Sequence, residues 1–109
     1  MDGFTLLADP TRRRILDRLR SGECDVAGLI ELCEQPQPLV SKHLKVLRDS
    51  GLVDARAIGR RRIYHLTEKR PDDVLAWLIP WLGQWQQSFD LLEAALDADT
   101  TAPQEGIDR

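Results

Sequence analysis

Residues Gln37–Gly51, QPLVSKHLKVLRDSG, constrain this chain more than any other stretch. Pro38 fits a first helical turn, where its missing N–H costs nothing. Val40, Leu44 and Leu47 then recur at i, i+4 and i+7, so one face of the helix is apolar. The opposite face carries Gln37, Ser41, Lys42, Lys45 and Arg48, and Gly51 suits the position just past the helix end, where φ is positive. Glutamine pairs bidentately with adenine, serine bonds base edges or phosphate, and lysine neutralises phosphate. An ordinary solvated helix would carry the same residue types, so the flanking stretches decide between the two.

Upstream, Phe4, Leu6, Leu7 and Ala8 make a short apolar turn, punctuated by Asp9 as a cap and Pro10 as a helix opener. PTRRRILDRLR, residues 10–20, puts Ile15, Leu16 and Leu19 on one face and Arg12, Arg13, Arg18 and Arg20 largely outside, and Ser21-Gly22 stops it. Asp25 is an N-cap for a helix over Val26–Glu34, in which Val26, Leu29, Ile30 and Cys33 have helical spacing. Only Gln35 and Pro36 separate that helix from the next. Two short helices joined by a tight turn, the second polar at its front, form the helix-turn-helix pattern. Downstream, Leu52, Val53, Ala55 and Ala57 lead to a Gly59-Arg60 turn, and Ile63–Leu66 returns as a second strand. Such a hairpin is a wing. Arg60, Arg61 and Arg62, at or near its tip, are set for phosphate or minor-groove contact.

The net charge of −3 taken alone argues against a nucleic-acid binder, but its distribution does not. Residues 10–70 carry fourteen Lys/Arg against eight Asp/Glu, whereas residues 71–109 carry Arg109 alone against eight acids. A basic block followed by an acidic stretch implies two jobs in one chain. The second job is legible after Pro71-Asp72-Asp73, where two acids suit a first helical turn. Leu78, Leu82, Trp85, Phe89, Leu92 and Leu96 follow in alternating steps of four and three, a heptad-like seam. Trp77 and Trp81, with Val74 one turn before, form a second stripe. Two stripes need two partners, the chain's own domain and a second copy of the chain. Pro80 predicts a kink or a fresh helix start. The fold class expected is mainly α with a small two-stranded β wing, a winged helix-turn-helix. Its parts are a DNA-binding region over residues 1–70, a dimerisation helix over 71–99 packed on the same domain, and a disordered polar tail over 100–109.

ADPTRRRILDRL at Ala8–Leu19, QPLVSKHLKVLRDSGLV at Gln37–Val53 and GRRRIYHL at Gly59–Leu66 together resemble the ArsR-type winged-helix transcriptional repressors. The likeness is close from Phe4 to Leu66 and looser beyond. It implies a homodimer that binds double-stranded DNA at inverted repeats and dimerises through its first and last helices. By position it places Gln37, Ser41 and His43 in the recognition helix and Arg60, Arg61 and Arg62 in the wing; Pro38, Leu39, Lys42 and Lys45, on the same helix, complete the expected DNA-contacting set. Phe4, Leu78, Leu82, Trp85, Phe89, Leu92 and Leu96 then fall in the dimer interface. The chain departs from the family at Pro36, where a serine is common, and at Leu39, where a small polar residue is common. Leu39, if exposed, offers apolar contact to a thymine methyl.

Many such repressors release DNA on binding a metal or metalloid. The family's Cys-x-Cys site aligns with Asp25 and Ala27 here, and no histidine follows His65 to build the site of the last helix. Cys24 and Cys33 are too far apart to chelate from one helix. Cys33 reads as a small core residue. Cys24 reads as a turn residue, the more exposed of the two. No metal site and no cofactor are expected, and the inducer is unassigned. A thiol-based metalloid or redox sensor using Cys24 and Cys33 is the alternative within the class, and a winged-helix protein-interaction module that does not bind DNA is the alternative outside it. Glycine-rich phosphate loops, nucleophile elbows and paired metal ligands are absent from the sequence, so an enzyme is not expected. Without a long apolar run or a signal-like start, a cytoplasmic protein with no membrane partner is expected.

Overall fold

The computed structural model describes the backbone through Glu105 and the side chains through residue 98. The elements are α1 (Gly3–Ala8), α2 (Pro10–Arg20), β1 (Cys24–Asp25), α3 (Val26–Cys33), α4 (Gln37–Asp49), β2 (Val53–Ile58), β3 (Arg61–Leu66) and α5 (Asp72–Glu105). They fall into two units, Met1–Val74 and Leu75–Arg109.

The first three helices each start on an aspartate. Asp2 accepts from the Thr5 amide at 2.7 Å, Asp9 from the Thr11 and Arg12 amides at 2.8 and 3.1 Å, and Asp25 from the Gly28 amide at 2.9 Å. Each satisfies amides that the helix itself cannot. The fourth helix starts on Pro36, which offers no side-chain cap. Helix α3 stops one residue before the expected Glu34, because Glu34 turns left-handed at φ 54 and redirects the chain into α4. That conformation is uncommon for a residue with a Cβ.

The apolar rows read from the sequence converge on one core. Ile15 and Leu19 of α2, Leu29 and Cys33 of α3, and Val40, Leu44 and Leu47 of α4 are buried together with Leu6, Leu52, Val53 and Tyr64. Arg12 is not outside, as the helical pattern of α2 implies, but buried. Its guanidinium donates to the Leu6 carbonyl at 2.7 Å and the Thr5 carbonyl at 2.9 Å, while Arg13 donates to the Leu7 carbonyl at 2.6 Å. The two arginines thus satisfy carbonyls at the C-terminal end of α1, where positive charge is favoured.

The sheet has three strands, in the order β1-β3-β2, all antiparallel. The expected two-stranded wing is therefore only part of it. Cys24 is not in a turn but pairs with Tyr64 across β1 and β3, and it is half-buried. The wing register runs from Val53 opposite Leu66 to Ile58 opposite Arg61, leaving Gly59 and Arg60 as a two-residue loop. Gly59, at φ 64, supplies the positive φ such a loop needs at its first position.

Helix α5 passes through Pro80 without interruption, so a fresh helix start there is excluded. Pro80 deprives the Ala76 carbonyl of its helical donor. The helix is drawn to Glu105, across the first part of the tail expected to be disordered; the alanine-rich approach, Ala94, Ala95 and Ala98, favours helix. Residues 106–109 of that expected tail lie outside the described residues. Along α5, Trp77 and Trp81 sit 5.8 Å apart between ring centroids, Trp81 and Trp85 5.7 Å, and Trp85 and Phe89 6.4 Å. The two stripes read from the sequence thus merge at Trp85 into one aromatic ladder with four-residue steps. No helix among the described residues is long and apolar enough to cross a membrane.

Candidate nucleic-acid interface

Helix α4 presents its row Gln37, Ser41, Lys45 and Arg48 to an open groove of about 750 Å³, whose far side includes Val53, Asp54, Arg62, Tyr64 and Thr67. The spacing explains the row: steps of four, four and three keep side chains on one face. Gln37, Pro38, Leu39, Ser41, Lys42 and Lys45 are all exposed. The Leu39 and Val40 amides turn back to the Pro36 carbonyl at 3.0 and 3.1 Å. Pro38 has no amide, and that of Gln37 has no partner among the described residues. The helix front is therefore an uncapped positive dipole end with polar side chains around it, an arrangement that favours phosphate.

Charge is partitioned along α4. In its rear half Lys45 is 3.0 Å from Asp49 and Arg48 is 3.7 Å from Asp54. Lys42, nearer the front, has no acidic partner among the described residues. Arg48 and Thr67 line the groove although neither was among the expected site residues. Arg48 was already legible on the polar face of α4, whereas no local signal points to Thr67.

His43 does not join the exposed front. Standing three residues after Val40 and four before Leu47, it flanks the buried row, and its side chain is only 13% exposed. Its Nδ1 lies 3.4 Å from Arg12 Nη1 and its Nε2 3.9 Å from Asp9 Oδ1. Desolvation pushes the Asp9 carboxyl upward. Hydrogen bonds from the Arg12 and Thr11 amides, with the charges of His43 and Arg12, outweigh it and hold that carboxyl below its ordinary value. Gln35, in the α3–α4 turn, donates to the Thr11 hydroxyl at 3.0 Å. His43 and Gln35 thus tie α4 and the turn before it to the start of α2, a positioning role that the sequence pattern did not reveal.

The three wing arginines border one hollow with Gln37 and Asp25 but differ in their partners. Arg60 occupies the loop, Arg62 faces the groove beside Tyr64, and Arg61 donates from Nε and Nη2 to Asp25 Oδ2 at 3.2 and 2.9 Å. The bond from the Gly28 amide, followed by that from Arg61, holds the Asp25 carboxyl below its ordinary range.

Of the two cysteines, Cys33 is buried in the core and desolvation raises its thiol pKa. No group of three or more His, Cys, Asp or Glu capable of holding a metal ion occurs among the described residues. Phe4, Leu82, Trp85, Phe89, Leu92 and Leu96 are exposed and Leu78 is half-buried.

A helix pair joined by a tight turn, flanked by a basic hairpin and presenting an uncapped polar helix, defines a winged helix-turn-helix, a DNA-binding class. Residues 9–55 match the family described as bacterial regulatory protein, arsR family. Over 106 residues the chain is 38% identical to a probable mercury resistance operon repressor of Streptomyces lividans, covering 97% of this chain and 79% of that protein. It is 37% identical over 70 residues to an arsenical resistance operon repressor of Staphylococcus aureus, covering 64% of this chain and 67% of that one. A crystal structure of an ArsR family transcriptional regulator superposes with a TM-score of 0.64 at 35% identity, over 76% of this chain and 86% of the other. The chain belongs to the ArsR family and is a DNA-binding transcriptional regulator; its relatives are regulators, not enzymes.

Proposed function

We propose that the chain is a homodimeric cytoplasmic repressor that binds an inverted-repeat operator. The front of α4 reads base edges in the major groove, through Gln37, Ser41 and the exposed Leu39. Lys42, Lys45 and the wing hold the backbone. Phe4 of α1 and the α5 seam of Leu78, Leu82, Trp85, Phe89, Leu92 and Leu96 carry the second copy. The observation that carries this reading is the uncapped, polar and exposed front of α4 beside a groove lined by Arg62. A module built only for protein contact would present an apolar surface there, whereas Gln37 and Ser41 flank the exposed Pro38 and Leu39 and Lys42 follows.

The test is a titration of the protein onto genomic fragments followed by footprinting of the tightest. Two protected half-sites related by a dyad, separated by about one helical turn or a multiple of it, are expected. Protection of a single half-site, or binding that is indifferent to sequence, would overturn the dimeric-operator reading.

A thiol-responsive repressor is the second reading. Its support is the half-buried Cys24, which lies in β1 directly against the wing strand β3, together with the likeness to a mercury resistance repressor. Release of DNA by mercuric ion in the wild type but not in Cys24→Ser would establish it. Release that persists in Cys24→Ser, or no release in either, would remove it.

A further inference from the structure

Strand alternation sorts the wing by face. Along β3, Arg62, Tyr64 and Leu66 share one face, and Arg61, Ile63 and His65 share the other. Tyr64 belongs to the core and Arg62 lines the groove of α4, so the first is the inner face. Ile63 is buried yet stands apart from that core cluster. In register, Arg56 and Asp25 lie on either side of Ile63, one on β2 and one on β1. Two ion pairs flank it. Arg56 Nη2 donates to Glu23 Oε1 at 2.5 Å, and Arg61 donates twice to Asp25, whose other oxygen caps α3.

We propose that these two pairs form a brace that sets the wing on the helix-turn-helix, and that Arg61 is a positioning residue while Arg60 and Arg62 are the wing's phosphate contacts. The inference rests on the DNA-binding reading above and refines it. Arg61 is held by geometry: its Nε and Nη2 both donate to one oxygen of Asp25, and the other oxygen of that carboxylate is anchored by the Gly28 amide. A phosphate would have to compete with that carboxylate, which already caps a helix, for the edge of the guanidinium that Arg61 has committed. Arg60, in the loop, and Arg62, toward α4, have no acidic partner among the described residues and meet no such competition.

The experiment is a set of full-length variants, Arg60→Ala, Arg61→Ala, Arg62→Ala, Asp25→Asn and the double variant Arg61→Ala with Asp25→Asn, titrated on operator and random duplexes across a salt series. Arg60→Ala and Arg62→Ala should each flatten the dependence of log K on log salt by about 0.9 per lost phosphate contact in each subunit. Arg61→Ala should leave that slope as in the wild type and weaken operator binding roughly two- to fivefold, the scale of an exposed ion pair. Asp25→Asn should behave like Arg61→Ala, and the double variant no worse than either, since both break one contact. A slope in Arg61→Ala flattened as much as in Arg60→Ala, or tighter random-DNA binding by Asp25→Asn, would overturn the brace. If Asp25→Asn does not fold, the slope of Arg61→Ala decides alone. A wild type with no salt-dependent DNA binding would instead sink the functional reading itself, an outcome distinct from the failure of the brace.

Discussion

The guanidinium of Arg12, rooted in α2, reaches to 3.4 Å from the imidazole of His43 on α4. The same fork holds the Leu6 and Thr5 carbonyls. One buried cation therefore joins three helices. Replacing it with alanine leaves carbonyls of α1 unpaired in the interior, and the cost should be about 2–4 kcal/mol of unfolding free energy. Arg12→Lys keeps the charge but not the planar fork and should recover only part. Urea titrations monitored by far-ultraviolet circular dichroism would measure both; a midpoint unchanged in Arg12→Ala would show that the network contributes nothing.

Acid should destabilise the winged unit. Asp9 and Asp25 are held below the ordinary aspartate value of 3.8 in the folded chain. The unfolded chain then binds protons at higher pH than the folded one, so the stability these groups contribute is complete above that value and is lost as pH falls through the depressed folded values. Unfolding midpoints measured downward from neutral pH should hold level and then fall below about pH 4. The fall should be shallower in Asp9→Asn. An equal fall in both would remove Asp9 from the account.

Gln37 and the wing should separate in what they recognise. Gln37→Ala should cost roughly 1–3 kcal/mol on the operator, the worth of one bidentate base contact, and leave random DNA almost unaffected. Fluorescence anisotropy with both duplexes would read this directly, and equal weakening of both would assign Gln37 to the backbone.

Dimerisation should fail when charge enters the α5 seam. Leu82→Asp combined with Phe89→Asp buries two carboxylates in an apolar contact and should leave monomers at micromolar concentration. Sedimentation velocity of the double variant would decide, and an intact dimer would place the interface elsewhere.

The winged architecture was largely legible because its signals are local. Asp9-Pro10, the i, i+4, i+7 row of α4 and the Gly59-Arg60 loop each declare their element within a few residues. Features that depend on distant partners were not. Arg12 looks solvated on a helical wheel, and its burial comes from carbonyls of another helix and from His43, thirty-one positions away. Strand β1 has only two residues, too few to show alternation, and exists because β3 offers it a free edge. Arg61 was grouped with its neighbours because adjacency in sequence hides opposite faces of a strand.

The aromatic ladder also determines what light can report. The chain's three tryptophans, Trp77, Trp81 and Trp85, all lie on α5, in the unit that begins at Leu75. Indole emission therefore belongs to that unit alone, and the winged unit, with Tyr64 as its sole phenol, is dark at those wavelengths. Trp81 and Trp85, stacked at 24°, are also close enough for their transitions to couple, which should give an excitonic signature in circular dichroism. The molecule thus carries an intrinsic optical probe confined to one of its two units, which reports on that unit without a label.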